Sequence, residues 1–260
     1  MTVRLTILGS GSGGNSAYLE TDGARLLIDA GLSGRQIRLR LSAISRTPET
    51  LSGILITHEH SDHIQGLGAL AARLNIPIYC NQLTREAIED QYPGQLRYRL
   101  FSTGASFEVG DLAVDTFPVP HDAQDPVGFL LHTCRGRFGF LTDLGHATKL
   151  VAERVRTANV LVLETNHDLK LLQADTRRPW SIKQRILSRH GHLSNEAAAD
   201  LVEQIVSDEL RHLYLGHLSR ECNRPELAHE VLSRRLEKAG ASHVRVELTS
   251  QQIPCPTLAF

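Results

Sequence analysis

The segment 57-THEHSDH-63 has the spacing His58-x-His60-x-Asp62-His63. It lies at the end of an apolar run that predicts a buried strand, and a predicted helix follows it. His58 and His60 are two residues apart and point the same way, which leaves Asp62 and His63 to serve a second ion. Four potential ligands in six residues on a strand-to-helix turn predict a metal centre, in preference to a polar turn of satisfied histidines.

Three more polar residues stand where a predicted strand ends. They are His121 in PVPHDA, Asp143 in FLTDLG and His217 in LYLGHLS. A strand fixes the direction of a residue at its end, which suits a ligand position. Each residue alone is equally consistent with a capped turn or a surface histidine, but the repetition after the four-ligand motif favours ligands. Imidazole and carboxylate groups suit zinc, manganese or iron.

The pattern along the chain is that of an α/β protein. The predicted strands cover 3–8, 16–21, 24–31, 53–58, 76–80, 96–101, 106–109, 112–119, 127–134, 136–142, 160–164, 213–217 and 243–248. The predicted helices cover 33–44, 62–74, 84–91, 147–157, 180–190, 195–207 and 224–239. Each half runs strands first and then alternates strand with helix. We therefore expect two sheets packed together with helices outside, in a strand order that the pattern leaves open.

The bulk composition narrows the class of protein. No low-complexity linker divides the 260 residues, so we expect a single domain over 1–260. The net charge is −1, so any surface for nucleic acid must be a local patch. The four cysteines are scattered and form no CxxC pair, which argues against a disulfide framework or a cysteine-zinc site. No apolar run approaches 18 residues and the start does not read as a signal peptide, so a cytoplasmic protein without a membrane partner is predicted.

The glycine-rich stretch 5-LTILGSGSGGNSAYLE-20 contains Gly9-x-Gly11-x-x-Gly14 and resembles the dinucleotide-binding fingerprint. That fingerprint requires a helix to begin at the glycines, and here a strand is predicted. We therefore expect no nucleotide cofactor. The polar residues of the loop, Ser10, Ser12 and Asn15, are candidate contacts to a substrate phosphate, with a plain tight turn as the alternative.

The HxHxDH motif with a later His, Asp and His resembles the metallo-β-lactamase superfamily over nearly the whole chain. The resemblance implies an αββα sandwich, with two mixed sheets packed face to face, helices outside and two divalent ions at one edge. Zinc is the expected bound ion and manganese an alternative activating ion. Asp29, after RLLI, matches an aspartate that supports the ligands. The resemblance implies one ion on His58, His60 and His121, a second on Asp62, His63 and His217, and Asp143 bridging the two.

A further feature resembles the ribonuclease Z and phosphodiesterase branch of this superfamily. His192-x-Ser194 opens a predicted helix ahead of the last ligand, and Glu164 ends VLVLE. In that branch the extra histidine meets the phosphate or protonates the leaving alkoxide, and the glutamate orients it. Glu164 would keep His192 protonated near neutral pH. The alternatives are a capping histidine and a buried structural carboxylate.

The segment 176-TRRPWSIKQRILSR-189 is basic and contains no acidic residue. It could bind backbone phosphates and stack a base on its one aromatic ring, with a solvated helix face as the alternative. Together with Ser12, Asn15 and Ser194, the candidate substrate residues are Arg177, Arg178, Trp180, Lys183, Arg185 and, in the same segment, Arg189.

The stretches THEHSDHIQGLG, ETNHD, PWSIKQRILS and GHLSNE together resemble the YycJ (WalJ) family. This resemblance implies a 5′-to-3′ DNA exonuclease linked to DNA repair, with DNA favoured over RNA and no β-CASP insertion. In that reading Asp62 helps to orient the attacking nucleophile. Dimers are common in the superfamily, so a homodimer is compatible with the resemblance. The alternatives are a hydrolase of a thioester or lactone, and a non-enzymatic regulatory partner.

Overall fold

The computed structural model describes residues 2–260, which form fourteen strands and eight α-helices. The strands are β1 (Arg4–Gly9), β2 (Ser16–Glu20), β3 (Arg25–Ile28), β4 (Gly53–Leu55), β5 (Ile78–Cys80), β6 (Tyr98–Leu100), β7 (Ser106–Val109), β8 (Leu112–Pro118), β9 (Val127–Thr133), β10 (Gly136–Leu141), β11 (Val160–Glu164), β12 (His212–Gly216), β13 (Arg245–Leu248) and β14 (Leu258–Ala259). The helices are α1 (Gly34–Ala43), α2 (Ser61–Ile64), α3 (Gln82–Gln91), α4 (Lys149–Val155), α5 (Leu169–Ala174), α6 (Trp180–Ile186), α7 (Asn195–Ile205) and α8 (Pro225–Lys238).

The strands form two mixed sheets of seven strands each. The first has the order β14-β1-β2-β3-β4-β5-β6 and the second the order β13-β12-β11-β10-β9-β8-β7. In both sheets the antiparallel strands lie toward one side and the parallel strands toward the other. Strands β2 and β3 form an antiparallel hairpin, with Glu20 opposite Arg25. The strand order is the part of the architecture that the sequence left open.

Alternation along the strands builds a three-part core. Val160 and Val162 of β11 face the apolar layer between the two sheets, while Leu161 and Leu163 face the layer of outer helices. In β3, likewise, Leu26 and Ile28 face the layer between the two sheets, while Leu27 faces the outer helices of the first sheet. Because both faces of the central strands are covered, these strands appear in the sequence as continuous apolar runs.

Amphipathic helices cover the outer face of each sheet. Ile37 and Leu41 of α1 pack on the first sheet, and residues such as Leu201 and Leu232 of α7 and α8 pack on the second. This arrangement is the predicted αββα sandwich. Among residues 2–260, no helix combines the length and the apolar character that crossing a bilayer requires.

Two predicted helices differ from the structure, and one helix was not predicted. The helix predicted over 62–74 is interrupted, because Gly66 turns its backbone N–H to the carbonyl of Ala30 at 2.7 Å, and a π-helical segment then follows. The helix predicted over 180–190 ends at Ile186. Helix α5 was not predicted, although the Asp168 side chain caps it by accepting from the N–H of Leu171 at 2.8 Å.

The segment after β13 is tied back to the start of the chain by a buried arginine. The Arg40 guanidinium on α1 donates to the carbonyl of Leu8 at 2.7 Å and to the carbonyls of Gln251 and Gln252 at 3.0 Å each. Strand β14 pairs with β1 in the same region. The tail for which the sequence suggested no role is therefore part of the first sheet and of its loops.

We predict that Arg40→Met lowers the free energy of unfolding by about 2–4 kcal/mol, because the buried carbonyl of Leu8 and two partly buried carbonyls lose a charged donor. Urea unfolding followed by circular dichroism measures the change. Arg38→Met on the same helix is the matched control, since Arg38 is only in an exposed ion pair with Glu49, and this variant should remain close to wild type. Equal stability of the two variants would contradict the prediction.

Candidate active site

The strand ends of both sheets meet at one edge of the sandwich. The loop that carries the HxHxDH motif joins β4 to α2, and His121 follows β8. Asp143 and His217 stand just beyond β10 and β12. Because these strands converge, side chains far apart in sequence come within contact distance, as the strand-end pattern predicted.

The structure brings all seven predicted ligand residues together. Asp143 lies centrally, with its carboxylate 2.9 Å from His63 Nε2 and 3.5 Å from both His121 Nε2 and His217 Nε2. The candidate ligand atoms lie within 4.8 Å of one another in each of three sets, His58 with His60 and His121, Asp62 with His63 and His217, and His58 with His63 and Asp143. The geometry thus places two three-residue sets side by side, with Asp143 between them.

A fourth set of acidic and histidine side chains lies at the same spacing and consists of Asp143, Glu164, His192 and His217. Its central oxygen is already satisfied, because Glu164 Oε1 accepts from His192 Nδ1 at 2.7 Å and from His217 Nδ1 at 2.9 Å. This set therefore reads as hydrogen-bonded support and not as a third ion site.

Asp29 holds the first-sheet side of the site. Its Oδ2 accepts from His63 Nδ1 at 2.8 Å, and its Oδ1 accepts from the backbone N–H of Thr57 at 2.9 Å. The Thr57 hydroxyl donates to the same carboxylate and lies 3.0 Å from His58 Nδ1. Both rings are thereby turned so that Nε2 faces the cluster. Asp29 contacts a candidate ligand from behind, in the position that the resemblance implied.

Glu164 holds the second-sheet side of the site. Its Oε1 binds the Nδ1 atoms of His217 and His192, and its Oε2 accepts from the backbone N–H groups of Leu144 at 2.9 Å and Leu193 at 3.0 Å. Burial alone would raise the pKa of this carboxyl, but the neighbouring His192 and His217 lower it to about 2. The same contact raises the pKa of His192 against the effect of burial. Glu164 is therefore an ionised, fully bonded anchor.

Three of the site residues have left-handed backbone conformations. Asp29, Asp143 and His217 have φ values of 59°, 55° and 54°. This region is sparsely populated by residues other than glycine, and such strain concentrates at functional sites. The turn at each strand end directs the side chain sideways into the cluster.

The chemistry of the cluster fits divalent ions. His58 Nε2 is buried without a hydrogen-bond partner among residues 2–260, and the buried Asp143 carboxylate faces the imidazoles of other candidate ligands. Burial holds the pKa of His58 well below its usual range, so that its ring is neutral and able to bind a cation. Burial opposes protonation of His63 and His217, yet Asp143 and the other carboxylates raise their pKa values well above the usual range. The cluster therefore favours positive charge, which bound cations would supply.

A cavity of about 370 Å³ opens onto the cluster. His192 lies on its wall, half-buried, together with the side chains of Asp62 and Ser12. Arg178 and Arg185 line the same cavity. The cavity joins the candidate ligands to residues that can contact a bound molecule.

Carboxylates outside the basic segment 176–189 neutralise much of its positive charge in the folded protein. Arg178 forms ion pairs with Asp175 and Glu221, and Arg185 pairs with Asp122. The carboxylates come from neighbouring elements, which a reading of 176–189 alone could not include. Arg177 also pairs with Asp175, and Arg189 donates to His146, whereas the Trp180 side chain is exposed outside the cavity.

The predictions for Lys183 and Ser194 as substrate contacts were wrong. Lys183 is buried, and its Nζ donates to the carbonyl of Gln173 at 2.8 Å. The Ser194 side chain caps α7 by accepting from the N–H of Ala197 at 3.2 Å, and Ser194 does not line the cavity. Short-range hydrogen bonding therefore occupies both groups.

The glycine loop leads into strand β2 and packs against the HxHxDH motif, where the N–H of Asn15 donates to the carbonyl of Asp62 at 2.8 Å. Gly31, which follows β3, lies against the same carbonyl. A Cβ atom on Gly31 would lie 1.6 Å from that oxygen, so only glycine permits this approach. Asn15 was predicted as a rim contact, but it is buried, and its Oδ1 accepts from the Ser10 hydroxyl at 2.8 Å. Ser10 in turn accepts from the N–H of His217 at 2.8 Å. Of these polar residues, Ser12 reaches the cavity.

Asn166 and His167, to which the sequence analysis assigned no role, differ in their access to the cavity and in their hydrogen bonding. Asn166 lines the cavity and donates through Nδ2 to the carbonyl of His217 at 3.0 Å, so it braces a candidate ligand. His167 is buried, and its ring nitrogens have no hydrogen-bond partner in the described part of the chain. Burial lowers the pKa of His167 to about 4, so its ring is neutral at neutral pH.

We predict that His167 makes the fold sensitive to acid. Its ring titrates near pH 6.5 when unfolded and near pH 4 when folded, so the unfolded state binds more protons within that window and stability falls as the pH falls. His167→Leu should weaken the pH dependence of the unfolding free energy by about 1.4 kcal/mol per pH unit in the window. Urea titrations of both proteins in EDTA measure this, and parallel pH profiles would contradict it.

Comparison with known proteins identifies the family. Residues 24–217 match the family model described as the beta-lactamase superfamily domain. Exodeoxyribonuclease YycJ of Bacillus anthracis is 40% identical over 243 residues, which cover 92% of this chain and 91% of that protein. Exodeoxyribonuclease WalJ of Streptococcus pneumoniae is 42% identical over 240 residues, covering 91% of this chain and 89% of that protein. The chain therefore belongs to the metallo-β-lactamase superfamily and, within it, to the family of these YycJ and WalJ proteins.

A solved structure agrees with the fold. The metallo-beta-lactamase fold protein YhfI from Bacillus subtilis matches with a TM-score of 0.76 at 14% identity, over 100% of both chains. At this identity the likeness concerns the fold alone, and it confirms the predicted architecture. The protein is accordingly a metallo-β-lactamase-fold hydrolase, a fold that implies divalent metal ions at the histidine and aspartate cluster.

Proposed function

We propose that this protein is a two-metal phosphodiesterase that degrades DNA as a 5′-to-3′ exonuclease in DNA repair. The observation that carries the proposal is the Glu164–His192 pair beside the ligand cluster, at 2.7 Å. Phosphodiester cleavage releases an alkoxide that leaves poorly without a proton donor, and a cationic histidine on the cavity wall supplies one. DNA as the substrate is supported by the names of the YycJ and WalJ relatives, both exodeoxyribonucleases.

The grouping of the side chains supports the proposed ligand roles. His58, His60 and His121 would hold one ion, and Asp62, His63 and His217 would hold a second. Asp143 would be shared between them, because its two oxygens face different histidines at 2.9 and 3.5 Å. When bound, such ions act as Lewis acids on the phosphoryl oxygens and on the attacking water. Zinc is the proposed resident ion, with manganese as the activating alternative.

The remaining steps belong to side chains of this protein. Asp62 lies on the cavity wall, 3.2 Å from His217 Nε2 through its Oδ2, so its carboxylate can orient the attacking water. His192 directs Nδ1 to Glu164, which leaves Nε2 to donate a proton to the leaving oxygen. Glu164 keeps the ring charged until that step and itself stays ionised.

Substrate contacts outside the metal centre are proposed for fewer residues than the sequence suggested. Ser12, Arg178 and Arg185 line the cavity and can contact phosphate oxygens. Arg177 and Trp180 are exposed outside the cavity and remain candidate contacts to parts of the DNA farther from the metal centre. We further propose that residues 1–260 act as one domain without a β-CASP insertion, in the cytoplasm, with a homodimer as the assembly to test.

The first experiment measures cleavage of DNA. Protein shown by elemental analysis to hold two metal ions is incubated with 5′-labelled double-stranded DNA, with Mn²⁺, with Zn²⁺ and with EDTA. We expect metal-dependent release of labelled mononucleotides from the 5′ end, and slower release from RNA of the same sequence. Hydrolysis of a thioester or lactone by the loaded protein, with DNA left intact, would replace the proposal by the small-molecule alternative.

A second prediction separates the proton donor from the metal ligands. His192→Ala should lower kcat on DNA by about 10²–10⁴-fold, because the leaving alkoxide loses its acid. The loss should be at least about tenfold smaller on thymidine 5′-(4-nitrophenyl phosphate), since 4-nitrophenolate leaves without protonation. The metal content of His192→Ala should equal that of the wild-type protein.

His190→Ala is the matched control, since this exposed histidine lies two residues away and does not line the cavity. Its turnover on both substrates should equal that of wild type. If His192→Ala loses the same factor on the two substrates, His192 acts by positioning and the assignment as proton donor is wrong.

A further inference from the structure

A second cleft lies beside the active-site cavity. Its volume is about 640 Å³, compared with about 370 Å³ for the cavity itself. Ser12 and Ser219 line both spaces, so the two are continuous across these serines. The remaining walls come from Ser10 and Gly13 of the glycine loop, from residues 218–221, 223 and 225, and from the segment 248–252. The size falls within the range of about 300–1,000 Å³ typical of ligand pockets.

The wall between the two spaces is held in place by hydrogen bonds. The side chain of Gln251 accepts from the N–H of Gly13 at 2.8 Å and donates to the carbonyl of Gly14 at 3.0 Å. The N–H of Ser10 donates to the carbonyl of Ser250 at 3.1 Å. Arg40 binds the carbonyl of Gln251 from the other side. The cleft is therefore preformed, and Ser12 stands on a fixed partition.

Charge distinguishes this cleft from the basic segment 176–189. Arg220 lines the cleft and is exposed, and its side chain has no hydrogen-bond or ion-pair partner within residues 2–260. Glu221, the acidic residue of the cleft wall, is already paired with Arg178. Arg185, by contrast, is paired with Asp122. An uncompensated guanidinium at a cleft mouth favours an anion such as a phosphodiester.

The rest of the wall suits a sugar and a base. Leu218, Pro225 and Leu248 supply apolar surface, and the Leu248 side chain is exposed. The hydroxyl of Thr249 is occupied by the carbonyl of Leu215, so it does not leave an unpaired polar group in the cleft. An apolar wall with one free cation matches a nucleotide better than a second metal ion or an acidic peptide.

We propose that this cleft binds the nucleotide that adjoins the scissile phosphate, with its own phosphate on Arg220 and its sugar and base on the apolar wall. The inference rests on the proposed phosphodiesterase function and adds the path of the strand to it. The DNA strand crosses the partition at Ser12 and Ser219, leaving the metal cavity toward 248–252 and not along α6. A substrate with one phosphate and no second nucleotide would not enter the cleft.

The test compares a substrate that fills only the cavity with one that also needs the cleft. Arg220→Glu is assayed on a 12-nucleotide single-stranded DNA and on bis(4-nitrophenyl) phosphate. We expect KM for the oligonucleotide to rise about tenfold. The negative slope of log(kcat/KM) against log[salt] should become shallower by about 1, because one phosphate contact is lost. The rate on bis(4-nitrophenyl) phosphate should stay within twofold, and Arg220→Lys should recover most of the loss.

Arg224→Glu is the matched control, because it makes the same charge change at an exposed position outside both spaces. It should change neither assay by more than twofold. An equal loss on both substrates by Arg220→Glu, or an unchanged KM for the oligonucleotide, would overturn the cleft proposal while leaving the DNA function standing.

A wild-type protein that leaves both this oligonucleotide and the 5′-labelled double-stranded DNA intact would instead contradict the proposed function. The same intact, labelled oligonucleotide then reports binding to the metal-loaded protein by fluorescence anisotropy. Weaker binding by Arg220→Glu than by Arg224→Glu would support the cleft, and equal binding would overturn it. The two failures are thereby distinguished.

Discussion

Two buried carboxylates determine the geometry of the whole site. Asp29 follows a strand of the first sheet and Glu164 ends a strand of the second, and each binds Nδ1 of a candidate ligand, His63 or His217. A buried carboxylate is stable only when its oxygens are bonded, so each one draws backbone and side-chain donors around it. The two sheets must therefore pack in one relative position for the histidines to face each other.

The sequence could predict the site residues that directly follow a strand or that share one short motif. The HxHxDH loop, His121, Asp143 and His217 each follow an apolar run, and the structure does bring them together. The fold class followed from the same runs, because continuous apolar strands indicate sheets covered on both faces. The order of the strands could not follow, because it depends on contacts between residues far apart in the chain.

Where the structure limits the predicted substrate contacts, a hydrogen-bond or ion-pair partner within the protein already occupies the polar group. Lys183 belongs to a basic run, yet its Nζ is buried against the carbonyl of Gln173. Arg185 is neutralised by Asp122, which is 63 positions away. Asn15 is consumed by hydrogen bonds inside its own loop. Local composition describes the charge that a segment carries, whereas the surrounding elements decide how much of that charge a ligand can meet.

The pairing of β1 with β14 has a consequence for how the protein is made. Thr6 and Thr257 bond across 251 positions, and Leu5 lies opposite Leu258. During synthesis, the outer edge of β1 therefore has no native partner until residues 258–259 leave the ribosome. An open strand edge is a template for pairing with other chains, and contacts of such long sequence separation close slowly. Nascent chains are thus open to association through β1 during this interval, and a chaperone that covered this edge would protect them.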